Sequence, residues 1–382
     1  MSARVTLADG TVHTPGAART FEVPERPPTS RIAFAAAHVV PRTGSETVPG
    51  APADLDWDAT LAFRRHLWSY GLGVAEAMDT AQRGMGLDWA ATQELIRRSS
   101  AEAAAVGGRI AAGVGTDQLV AVPTLDDVVA GYEEQLAVVE EAGAQPILMA
   151  SRALAALAGG PDDYAKVYGR LLEQAASPVI LHWLGPMFDP ALAGYWGSTD
   201  VAAATDTFVD IIASNAHAVD GVKVSLLDRA HEEHLRRRLP DGVKVYTGDD
   251  FNYAGLILGD GERHSHALLG AFAAIAPVAS AALAALDRGD EAGYRELMEP
   301  TLPLSRHLFE APTYHYKAGI AFLAWLSGHQ PGYVMVGGLH AARSATHLST
   351  AYRLADDLGL FPDPDLAAAR MRTFLTLAGV TQ

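Results

Sequence analysis

The sequence predicts a (β/α)8 barrel, an α/β fold, with an N-terminal hairpin and arm ahead of it and a C-terminal helical appendix behind it. Three observations predict this. Short apolar runs recur along residues 31–268, separated by segments of helical periodicity, as parallel β/α units require. The runs are apolar throughout rather than alternating, as strands are when helices cover the outside of the sheet. Eight such runs suit a closed barrel of about 250 residues. The competing fold, a doubly wound open sheet, finds no G-x-G-x-x-G after the first run to support it.

The elements follow in chain order. RVTLADGTVH (4–13) reads as a hairpin, because short alternating runs flank Asp9-Gly10, a favoured tight-turn pair. Residues 14–30, rich in Pro, Thr and Arg, read as an arm. RIAFAAAHVV (31–40) is the first strand, and DWDATLAFRRHLWSYG (56–71) the first helix, with Leu61, Leu67 and Trp68 on one side. GVAEAM (73–78) is the second strand, followed by a helix over 87–107 opened by Asp88 as its cap. RIAAGVG (109–115) and AQPILMAS (144–151) are the third and fourth strands, separated by a helix over 124–143 that ends at a glycine. A helix over 161–176 leads to SPVILHWLG (177–185), and a helix over 200–216 leads to VDGVKVS (219–225). A short charged helix precedes VKVYTG (243–248), and the eighth strand falls within 256–268. Beyond Pro277 the pattern is mainly helical to residue 380. The expected partition is hairpin and arm over 1–30, barrel over 31–290 and helical region over 291–382.

The chain has 382 residues, 45 acidic against 29 basic side chains, and a formal charge of −16. This balance argues against a nucleic-acid partner, which needs clustered Lys and Arg. Hydrophobic residues make up 49%, ample for a core, and cysteine is absent. A disulfide framework, thiolate metal site and cysteine nucleophile are therefore excluded, and a reducing, cytoplasmic setting is expected. MSARVTLADG lacks a basic-then-apolar layout, so no signal peptide is expected. The uncharged stretch from Ser265 to Leu286 is long enough to span a bilayer. It is dominated by small residues and interrupted by Pro277, and it reads as buried soluble structure rather than a membrane partner.

In a barrel of this kind reactive groups sit at the C-terminal ends of strands. That rule selects Asp79 and Thr80, His182 and Trp183, Lys223 and Ser225, Asp249 and Asp250, and His264 or His266. Lys223 is the most informative, as one of only four lysines in the chain. Alternation puts Val222, Val224 and Leu226 on one face and Lys223 with Ser225 on the other. The apolar face must meet helices, so Lys223 should point into the barrel, where desolvation favours a neutral, nucleophilic amine. A buried ion pair with Asp249 or Asp250 is equally open from spacing. Lys244 comes early in its strand and should lie at the opposite rim. His182 reads either as a general acid/base or as a core histidine. His264-x-His266, with His182 and Asp249, offers a divalent-metal set as an alternative. The glycines of GRIAAGVGTD lack Walker spacing and read as strand-to-loop turns.

These segments together resemble the dihydrodipicolinate synthase / N-acetylneuraminate lyase superfamily, a set of Schiff-base (β/α)8 barrels, over about residues 31–375. GVKVS around Lys223 is similar to that family's segment carrying the Schiff-base lysine. AGVGTD (112–117) resembles its turn after strand three, and VYTGDD (245–250) its strand-seven turn. GDEAGYRELMEPTLPLSRHLFE and YHYKAGIAFLAWLSG resemble its C-terminal helices, where Lys317 fits a structural lysine, and DDLGLF (356–361) fits the closing helix. The departures matter as much. The family's G-T-T-G-E loop reads Asp79-Thr80-Ala81-Gln82-Arg83, its strand-five tyrosine is replaced by His182, and the arginine expected afterwards is missing from PMFDPALAG. ILMASRAL lacks the family's inter-subunit tyrosine. An insertion near AGYWGSTD lies between His182 and Lys223, placed to line or cover the site.

The resemblance implies a class I aldolase or lyase acting on a small carbonyl compound without a cofactor. Lys223 forms an imine and His182 moves protons. Asp79, Thr80, Gln82, Trp183, Ser225, Asp249, Asp250 and His266 orient substrate, and Trp183 as an aromatic platform suggests a carbohydrate-derived keto compound. It also implies a homo-oligomer. The alternatives are a metal-dependent isomerase or hydrolase using His182, Asp249, His264 and His266, and a non-catalytic sugar-binding barrel.

Overall fold

A computed structural model of the chain describes residues 4–78, 82–121 and 124–382. Eight parallel strands close into a barrel. They are β1 (Ala33–Ala36), β2 (Gly73–Glu76), β3 (Ile110–Val114), β4 (Gln145–Leu148), β5 (Val179–Leu184), β6 (Val219–Ser225), β7 (Lys244–Thr247) and β8 (His266–Leu269). Each pairs with its sequence neighbour, and β8 closes the ring on β1 through Ala267–Ala33 and Leu268–Phe34. The eighth strand begins at His266, at the very end of the expected interval. The earlier apolar run, YAGLIL, is instead helix α8 (Tyr253–Leu258). Periodicity cannot separate a short buried helix from a buried strand.

Alternation divides each strand between two cores. Phe34, Ala75, Ala111, Ile147, Ile180, Tyr246 and Leu268 fill the barrel interior. Their neighbours Ala35, Val74, Ala112, Leu148, Leu181, Val222, Val224 and Val245 face the surrounding helices. Those helices are α1 (Trp57–Ser69), α2 (Trp89–Val106), α3 (Leu125–Glu141), α4 (Arg152–Leu157), α5 (Pro161–Gln174), α6 (Val201–Ser214) and α7 (Arg229–Arg238), then α8 and α9 (Phe272–Asp287). Several start at side-chain caps that the sequence supplies. Asp88 accepts the Ala91 N–H at 2.8 Å, and Thr124 and Asp127 form a reciprocal capping box at the start of α3.

Five further helices, α10 (Glu291–Met298), α11 (Leu302–Leu308), α12 (Tyr316–Leu326), α13 (Ala345–Asp357) and α14 (Pro364–Leu377), make up the C-terminal part. The outer hydrophobic core runs continuously into them through Leu304, Ile320, Leu348 and Met371. The uncharged stretch 265–286 is divided between β8 and the buried helix α9. Among the described residues no helix is long and apolar enough to cross a membrane.

The N-terminal hairpin pairs Val5–Thr6 with Val12–His13, and the arm behind it is strapped down. Gly16 N–H donates to the Asp356 carboxylate (2.8 Å), and Thr29 and Ser30 N–H groups donate to Asp287 (2.9 and 2.8 Å). A buried ion pair braces the wall below the mouth. Arg64 on α1 grips Glu76, the last residue of β2, through two parallel N–H···O bonds of 2.7 and 2.8 Å, both side chains being fully buried.

Candidate active site

The site is built at the C-terminal ends of the strands. Lys223 lies on β6 between Val222 and Val224, which face the helices, so its side chain enters the barrel as alternation requires. It is 4% exposed. Its partner on β5 is His182 and on β7 Tyr246. Two residues on, the Ser225 hydroxyl lies 3.3 Å from His182 Nε2, while the other ring nitrogen of His182 is buried and has no hydrogen-bond partner among the described residues. Burial, reinforced by the charge of Lys223, holds His182 well below the ordinary imidazole range. The ring is therefore neutral at neutral pH, with one donor and one acceptor edge.

Asp250 follows the end of β7. Its carboxylate accepts the Ala271 N–H at 2.8 Å, and its carbonyl accepts the Ser305 hydroxyl at 2.6 Å. Burial pushes this carboxyl up to about 8, against the opposing pull of the Ala271 N–H and of the positive charges of Lys223 and Lys317. Lys317, at the start of α12, reaches over the mouth to donate to the carbonyl of Ala36, the last residue of β1, at 2.8 Å. It is buried and lines the space beside the mouth.

A cavity of about 390 Å³ opens above the ends of β3, β4 and β5. Thr116, Ser151, Arg152 and Asp189 form its wall, and His182 and Met149 line its side toward the barrel. Thr116 and Ser151 share a hydroxyl–hydroxyl bond of 2.6 Å. Behind them the Tyr195 phenol accepts the Ser151 N–H (2.9 Å) and pairs with Tyr168 (3.0 Å). Arg83 is spent on the frame. It donates to the carbonyls of Ala77 and Gly113 and pairs with Asp117. A neighbouring space is lined by Gln82, Phe188, Tyr316 and Lys317 and shares Arg83, Arg152, Leu184 and Asp189 with the first. Gln82 holds the Val336 carbonyl through its amide (2.8 Å), and among the described residues its buried side-chain oxygen has no hydrogen-bond partner.

The structure thus brings together Lys223, His182, Ser225 and Asp250, with Gln82 beside the mouth. Asp79 and Thr80 lie outside the described residues. Three expectations are corrected. Trp183 does not face the mouth. Adjacent strand residues face opposite ways, and with His182 inward Trp183 packs among Phe208, His231 and Trp196 in the helix layer. Asp249 does not reach substrate space, because its oxygens accept the Phe251 N–H (2.9 Å), the Asn252 N–H (3.1 Å) and the Asn252 amide (2.8 Å). His266 opens β8 and accepts the Ile32 N–H (2.9 Å) at the opposite rim, where His264 and Lys244 line a separate surface hollow. The metal set His182, Asp249, His264 and His266 is therefore split between the two ends of the barrel. Lys244 sits at that opposite rim as expected, paired with Asp220 at 2.5 Å.

The insertion between β5 and β6 divides its work. Phe188, Asp189 and Leu192 line the cavities, whereas Tyr195 and Trp196 turn back into the outer core. Sequence reasoning missed Thr116, Ser151 and Arg152. Applying the strand-end rule to strands three and four as well would have found the first two.

A family model described as "Protein of unknown function (DUF993)" matches residues 5–380. No curated protein matches the chain. Among solved structures, dihydrodipicolinate synthase from Aquifex aeolicus is 14% identical, with 87% of this chain and 99% of that one aligned at a TM-score of 0.64. The synthase from Thermotoga maritima is also 14% identical, covering 87% and 100% at 0.63. One from Bacillus anthracis is 16% identical, covering 84% and 96% at 0.61. At these identities the likeness establishes the fold, the closed (β/α)8 barrel that the resemblance implied.

Proposed function

We propose an imine-forming aldolase or lyase reaction on a small carbonyl compound for this chain, which belongs to the DUF993 family of proteins of unknown function. One observation carries the reading: an amine on β6 enters the barrel beside His182, which lines a cavity of about 390 Å³. The fold shared with dihydrodipicolinate synthases supports it.

Lys223 is the nucleophile. After its ammonium gives up a proton, Nζ adds to the substrate carbonyl carbon, and the carbinolamine takes up a proton on the former carbonyl oxygen and expels it as water to leave a protonated imine. That cation draws the electron pair of the adjacent bond as it breaks. A proton leaves the hydroxyl of the departing fragment, which becomes a carbonyl. Protonation of the enamine carbon and hydrolysis then return the free amine. His182 carries the proton at the cavity side. Asp250, with its carboxyl near 8, exchanges a proton close to neutral pH on the other. Ser225, hydrogen-bonded to His182, orients the ring. Gln82 offers its side-chain oxygen, without a partner among the described residues, to a substrate hydroxyl or amide. With Trp183 in the outer core, the aromatic platform that favoured a sugar is gone, and small keto acids and hydroxy-keto compounds are the first substrates to try.

The test is borohydride reduction of the full chain in the presence of a panel of 2-keto acids and hydroxy-keto compounds, read by peptide mass spectrometry. A reduced adduct on the peptide containing Lys223, absent from Lys223→Arg, is the expected result. A turned-over substrate that leaves no adduct there overturns the mechanism.

A further inference from the structure

Outside the barrel mouth, two histidines and a glutamate converge where α11 ends and α13 begins. His307 is on α11, Glu310 follows that helix, and His347 is in the first turn of α13, whose cap Ser344 accepts the His347 N–H at 3.1 Å. One ligand-type atom from each lies within 4.8 Å of the others. His307 Nδ1 is 3.6 Å from Glu310 Oε2, and His347 Nδ1 is 2.9 Å from Glu310 Oε1. The two imidazole rings stack with centroids 4.1 Å apart and planes 23° from parallel.

The hydrogen bonds decide what these atoms present. His307 Nε2 lies 2.9 Å from the His347 carbonyl, which can only accept, so that nitrogen carries the proton. In the neutral ring the proton-free Nδ1 then directs its lone pair toward the Glu310 carboxylate. Two electron-rich atoms facing each other at this range are held by a shared proton or by a bound cation between them. A histidine whose far nitrogen donates to a backbone carbonyl is the arrangement that orients metal-binding imidazoles. His347 is buried, its Nε2 has no hydrogen-bond partner among the described residues, and its Nδ1 edge is engaged with the cluster. A tetrahedral ion with bonds of about 2.0–2.2 Å separates its ligand atoms by roughly 3.3–3.6 Å, so binding asks only a small closure of a cluster whose three ligand atoms lie within 4.8 Å of one another. The loop that presents Glu310 is held independently, since Arg343 donates to the carbonyls of Glu310 (2.6 Å) and Pro312 (3.1 Å).

We propose that His307, Glu310 and His347 bind a divalent first-row cation, with Zn2+ the best match to two nitrogens and a carboxylate, and that the ion ties α11 to α13. Glu310 is half-exposed, so water completes the coordination from the solvent side. The site is separate from the proposed imine chemistry and does not depend on it. Because the ion binds folded chain only, it raises the unfolding midpoint by mass action.

The experiment strips the full chain with a chelator, then titrates Zn2+ by calorimetry and follows Tm. One equivalent per chain and a Tm rise of a few degrees are expected. His307→Ala and the partly exposed Glu310→Gln should each fold in the absence of metal and lose affinity by about tenfold or more. Absence of a stoichiometric site in the wild-type chain overturns the proposal. So does wild-type affinity in either variant. Co2+ substitution gives a second readout, a visible spectrum of a nitrogen-bound ion that disappears in His307→Ala.

Discussion

Replacing Gly248 by alanine tests the interior of the mouth directly. Gly248 follows the last residue of β7 and donates its N–H to the Val224 carbonyl at 2.8 Å. A Cβ built there would lie 2.2 Å from the Ser225 hydroxyl oxygen, 2.8 Å from the Val224 carbonyl oxygen and 3.1 Å from Cε of Lys223. Comfortable carbon contacts lie at about 3.5–4.0 Å, so the serine hydroxyl must retreat by roughly an ångström and the lysine arm by a few tenths. Gly248 is not in the left-handed region, so the effect is steric rather than conformational. Overpacking of this kind costs about 1–3 kcal/mol. The retreat also breaks the Ser225–His182 contact, and displacement of a reacting group by about 1 Å lowers rate by about 100-fold. Urea unfolding and the rate of borohydride-trapped adduct formation measure the two effects. Ser225→Ala removes the worst-placed atom, so Ser225→Ala/Gly248→Ala should be more stable than the sum of the singles by about 0.5–3 kcal/mol. A Gly248→Ala chain within about 0.5 kcal/mol of wild type, trapping at an unchanged rate, would refute the placement of Lys223 and Ser225 inside the barrel.

Arg64→Met leaves the Glu76 carboxylate buried without its guanidinium and should cost about 3–5 kcal/mol in urea unfolding, much of it regained in Arg64→Met/Glu76→Leu. Tyr195→Phe removes the acceptor of the buried Ser151 N–H and should cost about 1–3 kcal/mol, with weaker substrate binding at the cavity wall as the second readout. Stability should peak between about pH 6 and 7, because two sets of buried groups oppose each other. Asp250 and Glu232 titrate at about 8 when folded, above their unfolded values of about 4, so their contribution is lost as pH rises through that window by about 1.4 kcal/mol per unit and group. His38 and His66 sit at about 3 and His329 at about 4 when folded, so their contribution is present above about 6.5 and lost as pH falls. Denaturant midpoints across pH check this, and Asp250→Asn should flatten the alkaline limb; an unchanged limb contradicts the burial of that carboxyl.

The amino-acid order by itself determined the β/α rhythm, the hairpin around Asp9-Gly10, the cap at Asp88 and the inward aim of Lys223. All of these follow from local periodicity, which a single strand or turn obeys wherever it is placed. The same parity rule, applied one residue further, excludes Trp183 from the mouth once His182 faces inward. His266 was misplaced for a different reason. An apolar run at 253–258 is equally good as helix or strand, and only pairing with Tyr246 and Ala33 sets where the last strand begins, hence which rim the histidine occupies. Asp249 and Asp250 are adjacent and chemically alike. What separates them is that Asn252 and two backbone N–H groups claim the first, while Lys223 and Lys317 face the second. Tertiary structure alone decided the rest: Lys317 arriving over β1, the Thr116–Ser151 wall backed by Tyr195, and His307 meeting His347. Those contacts join residues far apart in the chain, and their energy depends on burial and distance, which no spacing along a sequence encodes.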